Sequence, residues 1–517
     1  KTNETGREVK KKVRVVIRGD MQSQTPNDGP THSSPVARLD TLRLLVSKAA
    51  TEGYELKQMD VNTAFLHAPS SKPAHMKIPY GFPDNELLEN VSRDKQVLRL
   101  KKAVYGLKEA PLAWYNFCSG IFTENGFTRS DNDLCLFSIC SPDSESRCFV
   151  LVYVDDFTLL AKTSGDMVWL KNRLNSLFDL KDLGAASQVL GIEIIRDRDN
   201  GIVRLTQRKF IRQLLEEYDM LDCHPLPTPM FANANASLPS HTVSLTDDEK
   251  FYMKDKDFRH LSGCLNWLSL GTRPDIAFAL ARLGQAQSNP HPKHWQALTH
   301  VLRYLSGTLD MGLVYSAKAD RPEPHMHTDS AFADCVDTRR SHSGFVVLVG
   351  GAAVAWSSRK QAIVTTSSTE AEYIAMGVAA KEAAWMKRLL LDLEFPNNGP
   401  LCIYADNQSS LILATSEKLS TRTKHLDVQY HSVRQLAKMG ICVFKWVSTK
   451  LNVADVLTKP LGSNLFLDMA PRLGLPWIRR NSSVVSETAT VSLTVPSGSV
   501  VGVLWEGHVT LFDICVW

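Results

Sequence analysis

The stretch Arg147-Cys-Phe-Val-Leu-Val-Tyr-Val-Asp-Asp-Phe-Thr-Leu-Leu-Ala161 places two apolar, β-rich segments on either side of adjacent aspartates, Asp155 and Asp156. This pattern predicts a hairpin with two acids at its turn. Carboxylates beside otherwise apolar strands are costly unless something neutralises them, and a divalent metal is the usual solution. A polar Asp-Asp turn explains the same pair without any ligand. A further acid shifts the balance: Asp60 closes a second strand-like segment, Glu55-Leu-Lys-Gln-Met-Asp60, and the aromatic Phe65 follows five positions on.

A separate set of acids lies in the last third. Asp329 precedes a hairpin-like run, Phe345 to Trp356, whose Gly350-Gly351 is a tight-turn signal. Glu372, in Ser367-Ser-Thr-Glu-Ala-Glu-Tyr373, opens a helix expected to carry Ile374, Val378, Trp385 and Leu389 on one stripe. Asp406 ends the short strand Leu401 to Ala405, and Asp455 starts a helix after the strand Cys442 to Val447. Each has a plainer explanation. Glu370 and Glu372 both suit a capping box with Ser367 or Thr369, Asp406 suits a helix cap, and the other two suit a solvated surface.

A length of 517 residues sets an expectation of about three domains. The longest apolar run, Gly344 to Trp356, falls well short of the roughly 20 residues that a membrane helix needs, so no membrane partner is expected. The ten cysteines include no C-x-x-C pair, which argues against a disulfide scaffold or a structural zinc site. Net charge is only +4, yet Lys1 to Asp20 holds seven basic residues against three acidic ones, a segment suited to a phosphate-bearing partner. Gln22 to Pro35, Pro225 to Asp247 and Ala317 to Pro324 read as linkers. Thr246-Asp-Asp-Glu249 reads as a capping box opening a helix that carries Phe251 and Phe258.

Several motifs in order resemble the reverse transcriptase of copia-type LTR retrotransposons. They are Met59-Asp-Val61 with Thr63-Ala-Phe-Leu66, Tyr105-Gly-Leu-Lys-Glu-Ala-Pro-Leu-Ala-Trp-Tyr115 and Tyr153-Val-Asp-Asp156, joined by Leu190-Gly-Ile-Glu193, Thr228-Pro229, Thr272-Arg-Pro-Asp-Ile276 and Leu302-Arg-Tyr-Leu-Ser-Gly-Thr308. The last third is similar to the RNase H domain of the same elements through Arg339-Arg-Ser-His-Ser-Gly344, Trp356-Ser-Ser-Arg-Lys-Gln361, Thr369-Glu-Ala-Glu-Tyr373 and Ala454-Asp-Val-Leu-Thr-Lys-Pro460. The resemblance implies an α+β and α/β multidomain chain: a right-hand polymerase of fingers, palm and thumb, then an RNase H-like domain. It implies fingers and palm over 1–230, linker plus thumb or connection over 231–320, the RNase H-like domain over 321–462, and a C-terminal extension over 463–517, unassigned from about 480.

It further implies Mg²⁺, with Mn²⁺ also accepted, in two sites that each hold two ions. Asp60 and Asp155 are the implied direct ligands of the first, with Asp156 supporting. Asp329, Glu372, Asp406 and Asp455 serve the second, where the family places Glu372 rather than Glu370. Phe65 falls where such polymerases keep an aromatic under the sugar. Arg14 and Arg18 lie in a fingers-like segment, where even spacing puts both on one strand face towards a triphosphate, and Lys108 is a weaker candidate for nucleotide or template. The implied partners are an RNA template, a DNA primer, dNTPs and an RNA–DNA hybrid, held by a basic groove that reads backbone rather than bases. His425 and His431 lie in a family-like motif without an assigned role.

The family's upstream fingers, protease and integrase are expected to belong to a longer product, and replication in a cytoplasmic particle is what the family implies. Two other readings stay open at this point: a decayed copy that binds nucleic acid without catalysis, and a metal nuclease whose polymerase half only holds the hybrid.

Overall fold

The structure is a computed structural model and describes residues 16–22, 33–79, 82–83, 88–89, 91–396, 399–415 and 427–477. Arg14, His425, the side chain of His431 and the extension from about 480 lie outside the described residues. The chain begins with helix α1 (Leu39–Thr51), strand β1 (Glu55–Val61) and a two-stranded ribbon, β2 (Pro69–Lys77) with β3 (Val97–Lys102). Then come helix α2 (Ala110–Glu124), strands β4 (Thr128–Arg129), β5 (Leu136–Cys140), β6 (Arg147–Tyr153) and β7 (Asp156–Ala161), helix α3 (Ser164–Asn175) and β8 (Leu180–Ala185).

Six of these strands form an antiparallel sheet in the order β4-β5-β6-β7-β1-β8. The predicted hairpin is its centre. Strands β6 and β7 are buried along almost their whole length because the sheet is covered on both sides, which explains their unbroken apolar sequence. Val150, Val152, Phe157 and Leu159 share one core with Trp114, Phe122 and Leu170 of the two covering helices. Phe149, Leu151 and Leu160 belong to a second core that includes Leu42 and Leu45 of α1.

A four-stranded antiparallel sheet follows: β9 (Gln188–Val189), β10 (Ile192–Asp197), β11 (Ile202–Thr206) and, after a helical block, β12 (Leu313–Ser316). The block comprises α4 (Arg208–Glu217), α5 (Ala234–Ser237), α6 (Asp247–Met253), α7 (Phe258–Gly271), α8 (Ala277–Leu283) and α9 (Pro292–Gly307). Thr246 and Glu249 form the expected capping box, but the helix they open stops at Met253. Phe258 begins α7 instead, because the Asp257 side chain accepts from the His260 amide and starts a new helix. Phe251 is left 79% exposed, whereas Phe258 is 2% exposed.

Two motifs of this region meet in a buried ion pair. The Arg273 guanidinium donates to Asp275 at 2.8 Å and to the Thr308 hydroxyl at 2.8 Å, and the Tyr304 hydroxyl donates to Asp275 at 2.5 Å. Both charges are wholly buried, so these bonds are what make the pair tolerable.

The last layer holds β13 (His325–Ala331), β14 (His342–Val349), β15 (Ala352–Lys360), α10 (Ser368–Asp392), β16 (Leu401–Ala405), α11 (Gln408–Thr415), α12 (Asp427–Lys438), β17 (Cys442–Trp446) and α13 (Ser463–Met469). Its sheet order is β15-β14-β13-β16-β17; the first three strands are antiparallel, and β16 and β17 add in parallel. This is the strand order of an RNase H sheet, after a palm-like sheet and a helical block, so the expected α+β and α/β polymerase-plus-RNase H architecture is present. Gly350 and Gly351, both at positive φ, turn the predicted hairpin.

The expected stripe on α10 packs inward only at its far end, where Leu389 is buried and Trp385 rests against the core. Val378 is exposed, while Ala375, Met376, Ala379, Ala380, Ala383 and Met386 are buried. Small side chains let the helix lie close on the sheet, an advantage invisible to a pattern that follows the largest apolar residues.

The second core continues from α1 through α7, α8 and α9 to β14, β15 and α10. Arg43 of α1 ties it together. Its guanidinium donates to the carbonyls of Leu270, Gly271 and Val354, pairs with Asp40 at 3.0 Å and lies 4.1 Å from the Trp356 ring centre.

Candidate active sites

The β6–β7 turn holds the first set of acids. Tyr153 pairs with Asp156 across it, leaving Val154 and Asp155 as the two turn residues. Val154 has φ 56°, a conformation that costs a β-branched residue about 1–3 kcal/mol. The turn is pinned by the Trp114 indole, which donates to the Val154 carbonyl at 2.7 Å, and by the Val61 amide, which donates to the Asp155 carbonyl at 2.8 Å. Antiparallel pairing of β1 with β7 then sets Asp60 directly opposite Asp156.

Three carboxylates thus meet at neighbouring strand ends, each half-buried. Asp156 is pushed up to about 6, first by burial and then by the charges of Asp155 and Asp60. The Gln58 amide donates to it at 3.4 Å and gives slight relief. Such crowding favours a bound cation.

The residues expected to meet the nucleotide sit as follows. Phe65 lies on a short helical turn, Ala64–His67, after the left-handed Thr63, with its ring 4.7 Å from that of Tyr105. Arg18 does not lie on a strand; it leads into the turn Gly19–Met21, is 74% exposed and pairs with Asp20 at 2.5 Å. Close backbone packing is the reason: a Cβ on Gly106 would fall 1.9 Å from the Ile17 carbonyl oxygen. Lys108 fastens the same segment, its ammonium donating to the Gln22 carbonyl at 3.1 Å.

The second set is gathered from four elements. Asp329 is on the central strand β13, Glu372 in the first turns of α10, Asp406 just past β16, and Asp455 in the helical turn Val453–Leu457. Asp329, Glu372 and Asp406 each offer an oxygen within 4.8 Å of the others, the arrangement that can hold a metal ion. Glu370 faces a different task, accepting from the amide and hydroxyl of Thr366. The Asn452 side chain donates to the Thr328 carbonyl at 3.0 Å and so holds the turn bearing Asp455 against β13.

A residue that sequence reasoning passed over joins them. The Lys459 ammonium lies 3.2 and 3.1 Å from the two oxygens of Asp329 and 2.9 Å from Asp455. Its spacing of four from Asp455 was the available signal. The Thr458 hydroxyl also donates to Asp329.

Burial dominates the electrostatics here. Glu372 is pushed up to about 9 by desolvation, then by the charges of Asp329 and Asp406, with Lys459 opposing. Asp455 is pushed up to about 7 by desolvation and Asp329, and Asp406 is raised mainly by desolvation. Burial works against the Lys459 charge, yet Asp329 and Asp455 outweigh it and hold the ammonium protonated. Glu372 Oε2 is buried and has no hydrogen-bond partner among the described residues. An orphaned carboxylate oxygen in an all-oxygen cluster fits a hard divalent cation.

Comparison with known proteins adds the following. Residues 1–232 match the family of reverse transcriptases (RNA-dependent DNA polymerases). Over 459 residues the chain is 34% identical to the retrovirus-related Pol polyprotein from transposon TNT 1-94 of Nicotiana tabacum, covering 89% of this chain and 34% of that protein. It is likewise 34% identical over 479 residues to the Pol polyprotein from transposon RE1 of Arabidopsis thaliana, covering 92% and 31%. The chain therefore spans about a third of the length of these curated relatives. Among solved structures, a foamy viral protease-reverse transcriptase in complex with double-stranded DNA aligns with TM-score 0.40 and 12% identity, covering 83% of this chain and 60% of that one.

Proposed function

The chain belongs to the reverse transcriptase family, among the Pol polyproteins of copia-type retrotransposons, and from that membership we propose that it is an RNA-directed DNA polymerase joined to a ribonuclease H. The observation that carries this reading is that one chain of this family gathers two separate sets of acids, one where β1 meets the β6–β7 turn and one around strand β13. The substrates are a primer 3′-hydroxyl and a dNTP on an RNA template at the first site, and the RNA strand of an RNA–DNA hybrid at the second.

Bound Mg²⁺, or Mn²⁺ in its place, supplies the Lewis acidity that activates the attacking oxygen and stabilises the leaving one. Asp60 and Asp155 are the direct ligands at the first site and Asp156 the supporting acid. Phe65, backed by Tyr105, presents a ring edge or face to the sugar and selects against a 2′-hydroxyl. Lys108 and Arg18 are weaker contacts for nucleotide or template, since each already has a protein partner. At the second site Asp329, Glu372 and Asp406 hold one ion, and Asp455 extends the set for another. Water takes the place of the 3′-hydroxyl as nucleophile there.

Primer extension on an RNA template, with RNA cleavage scored in the same tubes, tests this reading. Asp155→Ala/Asp156→Ala is expected to abolish extension and leave cleavage. Hybrid binding with neither activity from the unsubstituted chain would replace this reading with that of a nucleic-acid-binding module.

A further inference from the structure

The two halves of the second acid cluster differ in what already occupies them. On one side, Glu372 Oε2 is buried beside Asp329 and Asp406 and unpartnered among the described residues, so a cation arriving there displaces none of their groups from that oxygen. On the other side, the space between Asp329 and Asp455 is taken by the Lys459 ammonium, within 2.9–3.2 Å of three carboxylate oxygens. An ammonium is a compact charge with three donors; it hydrogen-bonds Asp329 Oδ1 and Asp455 Oδ1, and the second Asp329 oxygen lies at ion-pair distance.

We propose that Lys459 makes metal loading of this site sequential: the first divalent ion enters among Asp329, Glu372 and Asp406, and a second, between Asp329 and Asp455, must displace the Lys459 ammonium. The inference rests on the ribonuclease H reading above and adds an order to it. Asp329 is the shared element. An ion drawing on its charge weakens the hold of Asp329 on Lys459 and so prepares the second place.

The structure permits the exchange. The Lys459 side chain is 34% exposed and sits on a flexible stem, so it has a path to solvent. Asp455 is fastened independently, because Asn452 ties its turn to β13 and caps the Ala454 amide. Lys459 can therefore leave without dispersing the ligands. While it is present, the buried carboxylates Asp329 and Asp455 keep a counter-charge.

The test is Mn²⁺ binding, followed by the electron paramagnetic resonance signal of free Mn²⁺ and by titration calorimetry. It uses the full chain carrying Asp60→Asn/Asp155→Asn/Asp156→Asn, so that only the second site is counted. Two ions of unequal affinity are expected. Lys459→Met should tighten the weaker one by roughly one to three decades, the range over which a neighbouring charge shifts a carboxylate's affinity for a proton. Lys459→Arg should keep the gap. Lys459→Gln gives the same readout if the Met variant fails to fold. Two equal ions before substitution, or a gap unchanged by Lys459→Met, overturns the order of loading. Binding that is indifferent to Asp329→Asn overturns the metal-site reading itself.

Discussion

The two acid clusters solve one electrostatic problem in opposite ways. Asp155 and Asp156 at a hairpin tip and Asp60 on the neighbouring β1 are half-buried, where solvent shares their charge and backbone hydrogen bonds fix the turn. Asp329, Glu372 and Asp455 are buried, and there the fold supplies a cation of its own in Lys459. The difference teaches that depth sets how much compensation is needed: half-buried Asp156 is pushed up only to about 6 with no built-in cation beside it, whereas buried Glu372 and Asp455 reach about 9 and about 7 even with Lys459 in place.

The sharpest way to break the comparison is to silence each cluster alone. Asp329→Asn should lower RNA cleavage by roughly 10³-fold or more and leave primer extension intact, and Asp155→Asn should do the reverse. A single substitution that removes both activities would show that the clusters do not act separately. Next in size is an effect that should not discriminate between them. Arg43→Met strips partners from the carbonyls of Leu270, Gly271 and Val354 in the core that both halves share, and should cost about 3 kcal/mol. Denaturant unfolding followed by fluorescence, with both activities lost at the same midpoint, would check it.

A pH titration of the metal-free protein sharpens the contrast. The folded chain binds a proton at Glu372 more tightly than the unfolded chain does, so stability is greatest below the ordinary carboxylate range. It falls as pH rises towards about 9. Asp455 acts with the same sign up to about 7, and Asp156 only up to about 6. Between pH 7 and 9 the decline thus belongs to Glu372 among these three acids, and Glu372→Gln should flatten the melting temperature across that window. The smallest effect is expected at Arg18, whose pair with Asp20 is solvent-exposed, so Arg18→Ala should leave the unfolding midpoint essentially unchanged. A rise in the dNTP KM beyond about tenfold would mean that Arg18 leaves Asp20 for the triphosphate.

Features written in a few consecutive residues were legible beforehand. The hairpin between apolar runs formed one residue earlier than the acid pair suggests, turning at Val154-Asp155, and the Thr246–Glu249 capping box and the Gly350-Gly351 hairpin formed where the pattern put them. Legibility ended where packing ranks the options. The Ala-rich face of α10 won over the stripe through Val378 because close approach to a sheet rewards small side chains. Asp257 took a cap of its own and split the helix expected to reach Phe258. Arg18 missed its strand because two glycine backbones, at Gly19 and Gly106, pack together from distant parts of the chain.

The sequence by itself determined the strands, the turns, the acids at their ends and the family, because each rests on local propensity or on ordered motifs. Only the tertiary structure decided which acids meet, how deeply each is buried and that Lys459 stands between Asp329 and Asp455. Proton and metal affinity depend on distances of a few ångströms and on the exclusion of water. Residues 130 positions apart in the chain acquire such distances only when the sheet closes around them.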